Sequence, residues 1–170
     1  MTAMDDPVVQ DDKPKRRRRE STPAQRAVAL LVRREHSRKE LALKLRARGI
    51  DPAEADAAVE KVAQAGWQDD TRFACSIART RATAGYGPQY IRAELASHGL
   101  GEDVISLALA SLDDAGEVDW ADVARAQVRR RFGDPASLST ALQHKAAGYL
   151  MRRGFGSDSI RAAIRSLPDD

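Results

Sequence analysis

The chain has 170 residues, 42% of them hydrophobic, with 28 lysines and arginines against 25 aspartates and glutamates. Cys75 is the only cysteine and the three histidines lie far apart, which excludes an internal disulfide and a metal site of clustered cysteines and histidines. No apolar run approaches the ~20 residues that a membrane span needs, and the N-terminus carries no apolar signal region. We therefore expect a cytoplasmic protein.

The first 22 residues are predicted to form a disordered tail whose charge changes sign along its length. Four aspartates lie within residues 1–12, and KPKRRRR follows at 13–19. A segment this rich in charge cannot bury itself. It either lies on nucleic acid or an acidic protein surface by charge attraction, or serves only to keep the chain in solution.

A first set of three helices is predicted after the tail. The first helix covers residues 24–35, and Ser37 with Glu40 forms a capping box that begins the second. The second helix ends at Gly49. Asp51, followed by proline, begins the third, because its carboxylate can accept hydrogen bonds from the exposed N–H groups of the first turn.

Two further sets follow along the chain. In the second set, a helix is predicted over 69–84, and Gly87-Pro88 begins the next helix because proline suits a first helical turn. The third set has a helix over 119–132 and then a stretch at 134–139 that we interpret as an inserted loop.

Three glycines give the register of these sets. Aligning Gly49, Gly99 and Gly154 places a leucine four residues before each glycine and a large apolar residue directly after it. An alanine follows nine residues after each glycine, and aliphatic residues follow at ten and thirteen. The aligned apolar residues are Leu45, Ile50, Ala58, Val59 and Val62; Leu95, Leu100, Ala108, Leu109 and Leu112; and Leu150, Phe155, Ala163, Ile164 and Leu167. This agreement identifies a tandem repeat.

Each aligned glycine is predicted to end a helix. The leucine before it and the apolar residue after it occupy the two positions that touch in a Schellman motif. Glycine is favoured there because a left-handed backbone penalises a Cβ atom. A phosphate-binding loop is the alternative for such glycines, but it requires a preceding strand, and none is predicted.

These patterns predict an all-α fold, an elongated, curved array of three tandem three-helix repeats. Each repeat is too small to hold a core alone, so neighbouring repeats must pack together. The predicted boundaries are a tail over 1–22 and repeats over 23–66, 67–116 and 117–170.

Three short helices also suggest a helix-turn-helix DNA-binding protein. Lys39 and Arg46 lie away from the predicted core face of the second helix, as in a recognition helix. The aligned residues of the later repeats are Gln89, Ala96, His144 and Met151. The basic face therefore does not recur. The residues before the glycines do stay basic or titratable (Arg48, His98 and Arg153), which the helix dipole alone can explain.

Arginines cluster in or near the first helix of every repeat, at Arg33-Arg34, Arg79/Arg81 and Arg129–Arg131. They are either solvated faces or a basic stripe for a long polyanion, whose binding would weaken steeply with salt. The sequence contains no nucleophile elbow, phosphate loop or metalloprotease motif, so we expect neither an enzyme nor a cofactor.

Residues 66–100 resemble the RecX family of bacterial recombination regulators. The residues that carry the resemblance are Asp69-Asp70, Arg72-Phe73-Ala74, Arg79, Arg81, Gly85-Tyr86-Gly87-Pro88, Ile91, Glu94, Leu95 and Gly99. The first repeat adds Ser37–Leu41, Lys44-Leu45 and Gly49-Ile50, and the third adds Arg153-Gly154-Phe155. The resemblance covers about residues 24–167 and leaves out the KPKRRRR tail.

The resemblance implies a monomeric regulator that binds the RecA recombinase–DNA filament and restrains its recombinase, ATPase and co-protease activities, in DNA repair and the SOS response. The candidates for the filament interface, carried over by position, are Arg72, Arg79, Arg81, Gln89, Tyr90, Arg92, Arg152 and Arg153. The secondary candidates for DNA contact are Lys39, Lys44, Arg46 and Arg48. A structural alternative pairs Arg72 with Asp69 or Asp70. The functional alternatives are a stand-alone helix-turn-helix DNA-binding protein and a helical scaffold that binds only proteins.

Overall fold

The computed structural model describes residues 21–114, 116 and 118–165 of the chain. All regular structure in these ranges is helical, and none of these helices is long and apolar enough to cross a membrane. The α-helices are α1 (Pro23–Leu31), α2 (Arg38–Arg46), α3 (Pro52–Gln64), α4 (Asp70–Thr83), α5 (Pro88–Ser97), α6 (Glu102–Asp114), α7 (Trp120–Phe132), α8 (Thr140–Arg152) and α9 (Ser157–Ile164), with a short 3-10 helix at Pro135–Ser137. The predicted tail, apart from residues 21 and 22, and Leu167 lie outside the described residues.

The helices form three consecutive three-helix units, which confirms the predicted all-α repeat fold. In each unit the first helix packs on the third, and the second helix closes the remaining side. Each unit has its own small core, and the three cores are centred on Leu41 and Leu45, on Ile91 and Leu95, and on Leu150. Because these residues are four apart on a helix, they lie on one face of the second helix.

The predicted helix starts are confirmed at three positions. The Ser37 hydroxyl accepts a hydrogen bond from the Glu40 N–H at 3.1 Å, and Asp51 caps α3 through the Ala53 N–H at 2.9 Å. Pro88 is the first residue of α5. The Glu40 side chain does not complete the predicted capping box, because it contacts Arg34 and His36 instead.

The aligned glycines have left-handed backbones, with φ of 81° at Gly49, 80° at Gly99 and 84° at Gly154. Around Gly49, the Ile50 N–H donates to the Leu45 carbonyl at 3.3 Å and the Gly49 N–H donates to the Arg46 carbonyl at 2.9 Å. These are the two hydrogen bonds of a Schellman motif. The same pair recurs around Gly154, which confirms the prediction that these glycines end helices.

Two details differ from the sequence prediction. Helix α1 ends at Leu31 rather than at residue 35, because the following turn carries Glu35 and His36 into contact with the second repeat. In the third repeat, the stretch predicted as an inserted loop contains a 3-10 helix with Pro135 and Leu138 buried. Part of the extra length also enters α8, which spans 13 residues, whereas α2 spans 9.

The repeats meet at two joints, and at each joint the start of one second helix contacts the end of the next one. The start of α2 contacts the end of α5, and the start of α5 contacts the end of α8. We call α2, α5 and α8 the helix column. Such end-to-end contact is favourable because the positive end of one helix dipole faces the negative end of another.

Alanine substitutions of the aligned glycines should separate the cost of the backbone from the cost of the joint. At Gly49 a Cβ atom would meet nothing within 4 Å, whereas at Gly154 it would lie 2.2 Å from the Tyr90 nitrogen. Gly49→Ala should therefore lower the free energy of unfolding by about 1–2 kcal/mol, the cost of a left-handed residue. Gly154→Ala should lower it by about 3 kcal/mol or more, because overpacking adds to that cost. Urea denaturation measures both, and equal losses would contradict this account.

Candidate interaction surface and the joints between repeats

The first joint is polar and joins the turn before α2 to the second repeat. The Ser37 hydroxyl oxygen lies 2.9 Å from Nδ1 of His98, and Lys39 Nζ donates to the Ser97 carbonyl at 2.9 Å. On the neighbouring side, Gln68 Nε2 donates to the His36 carbonyl at 3.2 Å. The first two repeats are therefore connected mainly by hydrogen bonds rather than by a shared apolar core.

A buried histidine lies within this joint. The His36 side chain is 4% exposed, and its Nδ1 lies 3.0 Å from Oε2 of Glu40. Burial lowers the pKa of His36 below its ordinary value, although Glu40 opposes this effect. Burial alone would raise the pKa of Glu40, but its contacts with Arg34 and His36 outweigh burial and leave that pKa below its ordinary value. The folded chain therefore favours the neutral imidazole of His36 over the protonated form.

The second joint is closer and is formed by backbone groups. The Gly87 N–H donates to the Arg153 carbonyl at 2.8 Å, and the Gln89 N–H donates to the Gly154 carbonyl at 3.0 Å. A Cβ atom at Gly87 would lie 2.4 Å from the Gly154 oxygen. Glycine is required at Gly87 and Gly154 because the two backbones approach each other directly.

Arg153 connects the second and third repeats through its side chain. Its guanidinium donates to the carbonyls of Ala84 at 3.2 Å and Gly85 at 3.0 Å. Its Cζ atom also lies 4.7 Å from the centre of the Tyr86 ring and 5.1 Å from the centre of the Tyr149 ring. These are cation–π distances, so the guanidinium is held by both carbonyl oxygens and aromatic faces.

The stack extends beyond Arg153 in both directions. Tyr86 stacks on Tyr90 with a centroid distance of 4.2 Å, and Arg131 lies 4.9 Å above Tyr149. Rings and guanidinium groups therefore alternate across the second joint. Sequence reasoning missed this arrangement, and the available signal was the Gly85-Tyr86-Gly87-Pro88 turn combined with an arginine directly before Gly154.

Three of the predicted filament-interface arginines form intramolecular ion pairs. Arg72 Nε donates to Glu35 at 3.0 Å, so this arginine pairs across the first joint and not with Asp69 or Asp70. Arg81 binds Glu94 through two hydrogen bonds of 2.6 Å each, and this contact with Glu94 raises the pKa of the Arg81 guanidinium. Arg92 pairs with Glu102.

The other predicted interface residues differ in the contacts that they make within the chain. Gln89 and Tyr90 are exposed at the second joint, where their backbones contact the third repeat. Arg79 is exposed and takes part in an interaction. Arg152 is exposed and has no ion-pair partner among the described residues. Arg153 lies in the second joint, as described above.

The predicted DNA-contact residues all lie on or directly after α2. Arg46 pairs with Asp56 at 2.7 Å, and Lys44 lies 3.7 Å from Glu40. Lys39 donates to the second repeat. An open groove of about 690 Å³ runs between α2 and α3, and its lining includes Lys39 and Arg46. Arg48 is exposed, and its side chain has no hydrogen-bond or ion-pair partner in the part of the chain that the structure describes.

The described residues contain no cluster of three or more histidine, cysteine or acidic side chains that could hold a metal ion. The single cysteine, Cys75, is half-buried and lies 3.8 Å from the Ser111 hydroxyl. The titratable groups with shifted pKa values are accounted for by the ion pairs and burial of the repeats.

Comparison with known proteins gives consistent matches along the whole array. The three family models of RecX match in chain order: the first three-helix domain at residues 25–61, the second at 69–109 and the third at 117–164. A regulatory protein RecX of Stenotrophomonas maltophilia strain R551-3 is 56% identical over 156 residues, covering 92% of this chain and 93% of that protein. One of Xanthomonas campestris pv. campestris strain B100 is 56% identical over 154 residues, covering 89% and 93%.

Two solved structures share the fold at low sequence identity. A crystal structure of a regulatory protein RecX has a TM-score of 0.66 and 22% identity, and the match covers 84% of this chain and 69% of that chain. A crystal structure of RecX from Lactobacillus salivarius has a TM-score of 0.64 and 24% identity, covering 84% and 92%. At this level of identity the likeness supports the fold.

Removing the Arg153 side chain should loosen the second joint. Arg153→Ala loses two hydrogen bonds to carbonyls and two cation–π contacts, so we expect the free energy of unfolding to fall by about 2 kcal/mol. The neighbouring Arg152→Ala is the matched control, because Arg152 is exposed, and it should change stability by less than about 0.5 kcal/mol. Chemical denaturation compares the two, and equal effects would contradict the assignment of Arg153 to the joint.

The buried histidine should make stability depend on pH. Because folding lowers the pKa of His36, the unfolded chain takes up a proton at this residue more readily than the folded chain does. The contribution of the neutral His36 to folding stability is therefore complete above about pH 6.5 and is lost as the pH falls below that value. Between about pH 7.5 and 5.5, stability should fall by at most about 1.4 kcal/mol per pH unit for this one proton. His36→Gln should flatten the slope, and the exposed His144→Gln should not. The measurement is urea denaturation across this pH range, and unchanged slopes in both variants would exclude His36 as the source.

Proposed function

The chain belongs to the RecX family of regulatory proteins, and on that premise we propose that it binds the RecA recombinase–DNA filament in the cytoplasm and restrains its recombinase, ATPase and co-protease activities. The observation that carries the proposal is the succession of three RecX domain matches, in order, over the three structural repeats. Identity of 56% to named RecX regulators over about nine-tenths of each chain supports it.

The architecture suits a ligand that is itself a repeating polymer. Three similar three-helix units follow one another along the chain. An array of this kind offers an extended binding surface rather than a closed pocket. Its net charge of +3 favours a partner that carries DNA.

The predicted filament-interface residues divide into two groups by their surroundings. Gln89, Tyr90 and Arg152 are exposed, and Arg79 is exposed while also taking part in an interaction; we propose that these four residues contact the filament directly. Arg72 and Arg153 contact a neighbouring repeat, so their contribution to binding includes holding the repeats in position, whereas Arg81 and Arg92 pair with Glu94 and Glu102 inside the second repeat.

A stand-alone helix-turn-helix DNA-binding protein is the second candidate function. The observation in its favour is the set of basic residues on and directly after α2 (Lys39, Lys44, Arg46 and Arg48), of which Lys39 and Arg46 line the open groove between α2 and α3. Two of these side chains already make contacts with Ser97 and Asp56, and the face does not recur in α5 or α8. Direct DNA contact fits better as an addition to filament binding.

The proposal predicts suppression of the recombinase at low ratios. Purified chain, added to the cognate RecA on single-stranded DNA, should inhibit the DNA-dependent ATPase at sub-stoichiometric amounts, because one array can span several filament subunits. The double variant Arg79→Ala, Arg81→Ala should suppress less and keep its helical circular-dichroism signal. Glu94→Gln is the control: it breaks the ion pair of Arg81 but keeps both arginines.

Two results would count against this proposal. If the wild-type chain gives no suppression at any ratio, filament regulation is wrong and the stand-alone DNA-binding function becomes the better candidate. If Glu94→Gln weakens suppression as much as the double arginine variant does, the arginines act through the fold rather than through contact with the filament.

A further inference from the structure

The helix column ends in an unused contact surface. At both joints the C-terminal end of a second helix is covered by the preceding repeat. The end of α2, residues 47–49, is the same element in the first repeat, and among the described residues no repeat packs against it. We call residues 47–49 the open end.

The space around each of the three aligned glycines shows how closely the corresponding helix end is covered. A Cβ atom at Gly154 would lie 2.2 Å from the Tyr90 nitrogen, and one at Gly99 would lie 3.7 Å from Cδ of Lys39. At Gly49 it would meet nothing within 4 Å. The backbone geometry is the same at all three, with φ between 80° and 84°. The open end thus has the form of a joint, and the described residues supply no element that covers it.

The covering element at both joints is a turn that begins a helix. It supplies hydrogen-bond donors to the last carbonyls of the receiving helix: Lys39 Nζ to Ser97, and the N–H groups of Gly87 and Gln89 to Arg153 and Gly154. It also places an oxygen near the residue that precedes the receiving glycine. The Ser37 hydroxyl does this for His98, and the carbonyls of Ala84 and Gly85 do it for Arg153.

The open end carries the same groups in an uncovered state. Arg48 occupies the position of His98 and Arg153 and is exposed. Within the described ranges, the carbonyls of Ala47, Arg48 and Gly49 accept no hydrogen bond, and the Arg48 guanidinium has no oxygen partner. The negative end of the α2 dipole therefore faces solvent beside a cation that lacks an acceptor.

A second copy of this chain does not present the matching turn. Ser37 and Gly87, which cap α2 and α5, each precede their aligned glycine by 12 residues, whereas Ser139, which caps α8, precedes Gly154 by 15. The start of α8 therefore projects about 4.5 Å further along its helix axis. The 3-10 helix at Pro135–Ser137 also lies in the segment that corresponds to the Tyr86 turn. The far end of the column thus differs from the element that fits the open end.

We propose that the open end receives a helix-starting turn of a recombinase subunit, which extends the helix column into the partner. The turn would donate backbone N–H groups to the carbonyls of Arg48 and Gly49, and its own carbonyl or acidic oxygens would accept from the Arg48 guanidinium. This inference rests on the proposed function, because it names the surface at which one end of the array contacts the filament.

Two variants of the open end test the inference against a matched control. Arg48→Glu reverses the charge of the binding cation, and Ala47→Trp blocks the surface without changing charge. Lys61→Glu is the control, because Lys61 is an exposed lysine of α3 in the same repeat and the substitution changes net charge equally. Each chain is titrated against RecA assembled on labelled single-stranded DNA with a non-hydrolysable ATP analogue, and against the same DNA without RecA, by fluorescence anisotropy. Circular dichroism checks folding.

The expected result is that Arg48→Glu and Ala47→Trp weaken filament binding at least about tenfold, while Lys61→Glu changes it by less than about threefold. If both open-end variants bind like Lys61→Glu, the open end is not a contact and the inference is overturned, although the proposed function stands. If the wild-type chain does not bind the filament, both fall.

Two other outcomes would reassign the surface and so overturn the inference. An equal loss of affinity for DNA without RecA would make Arg48 a DNA contact. Concentration-dependent self-association of the wild-type chain in sedimentation velocity, abolished by Arg48→Glu, would assign the open end to a second copy of the chain.

Discussion

The end-to-end contact between second helices is the interaction on which the rest of this structure depends. Each repeat holds a core of only about ten buried apolar residues, too small to be stable alone, so the repeats need one another. They meet mainly through narrow joints, and Trp120 adds an apolar contact with the cores of both the second and the third repeat. At the second joint, Gly87 and Gly154 have no Cβ atom, so the two backbones come close enough to form hydrogen bonds. These bonds fix the position of the third repeat.

The two joints differ in chemistry, and this difference matters for how the array can respond. The first uses the Ser37 hydroxyl, Lys39 and His98, next to the buried His36 and its partner Glu40. The second uses backbone hydrogen bonds and an alternating stack of rings and guanidinium groups around Arg153. Polar joints exchange hydrogen bonds with water at little net cost, whereas desolvated backbone contacts do not. The second joint is therefore the firmer constraint on shape.

This arrangement explains why basic residues are a poor guide to the binding surface. Arginine pairs with carboxylates and carbonyls through several donors, so it serves equally in an ion pair within a fold and in a contact with a partner. Arg72, Arg81 and Arg153 illustrate the first use, and the charge pattern alone could not separate them from Arg152, which is exposed. The open end shows the converse. Arg48 is identified as a candidate contact by its position at the end of the helix column, and its charge alone would not distinguish it from other exposed arginines.

The sequence by itself determined the repeat fold, its register and its helix stops, because these depend on local rules: apolar residues at helical spacing and glycine where the backbone is left-handed. The leucines before Gly49, Gly99 and Gly154 are fully buried, as the pattern predicted. Only the tertiary structure decided which residues join the repeats. The contacts of Ser37 with His98, and of Arg153 with Gly85, link residues 61 and 68 positions apart. No periodicity within a helix encodes such contacts, since they depend on how one unit lies against the next.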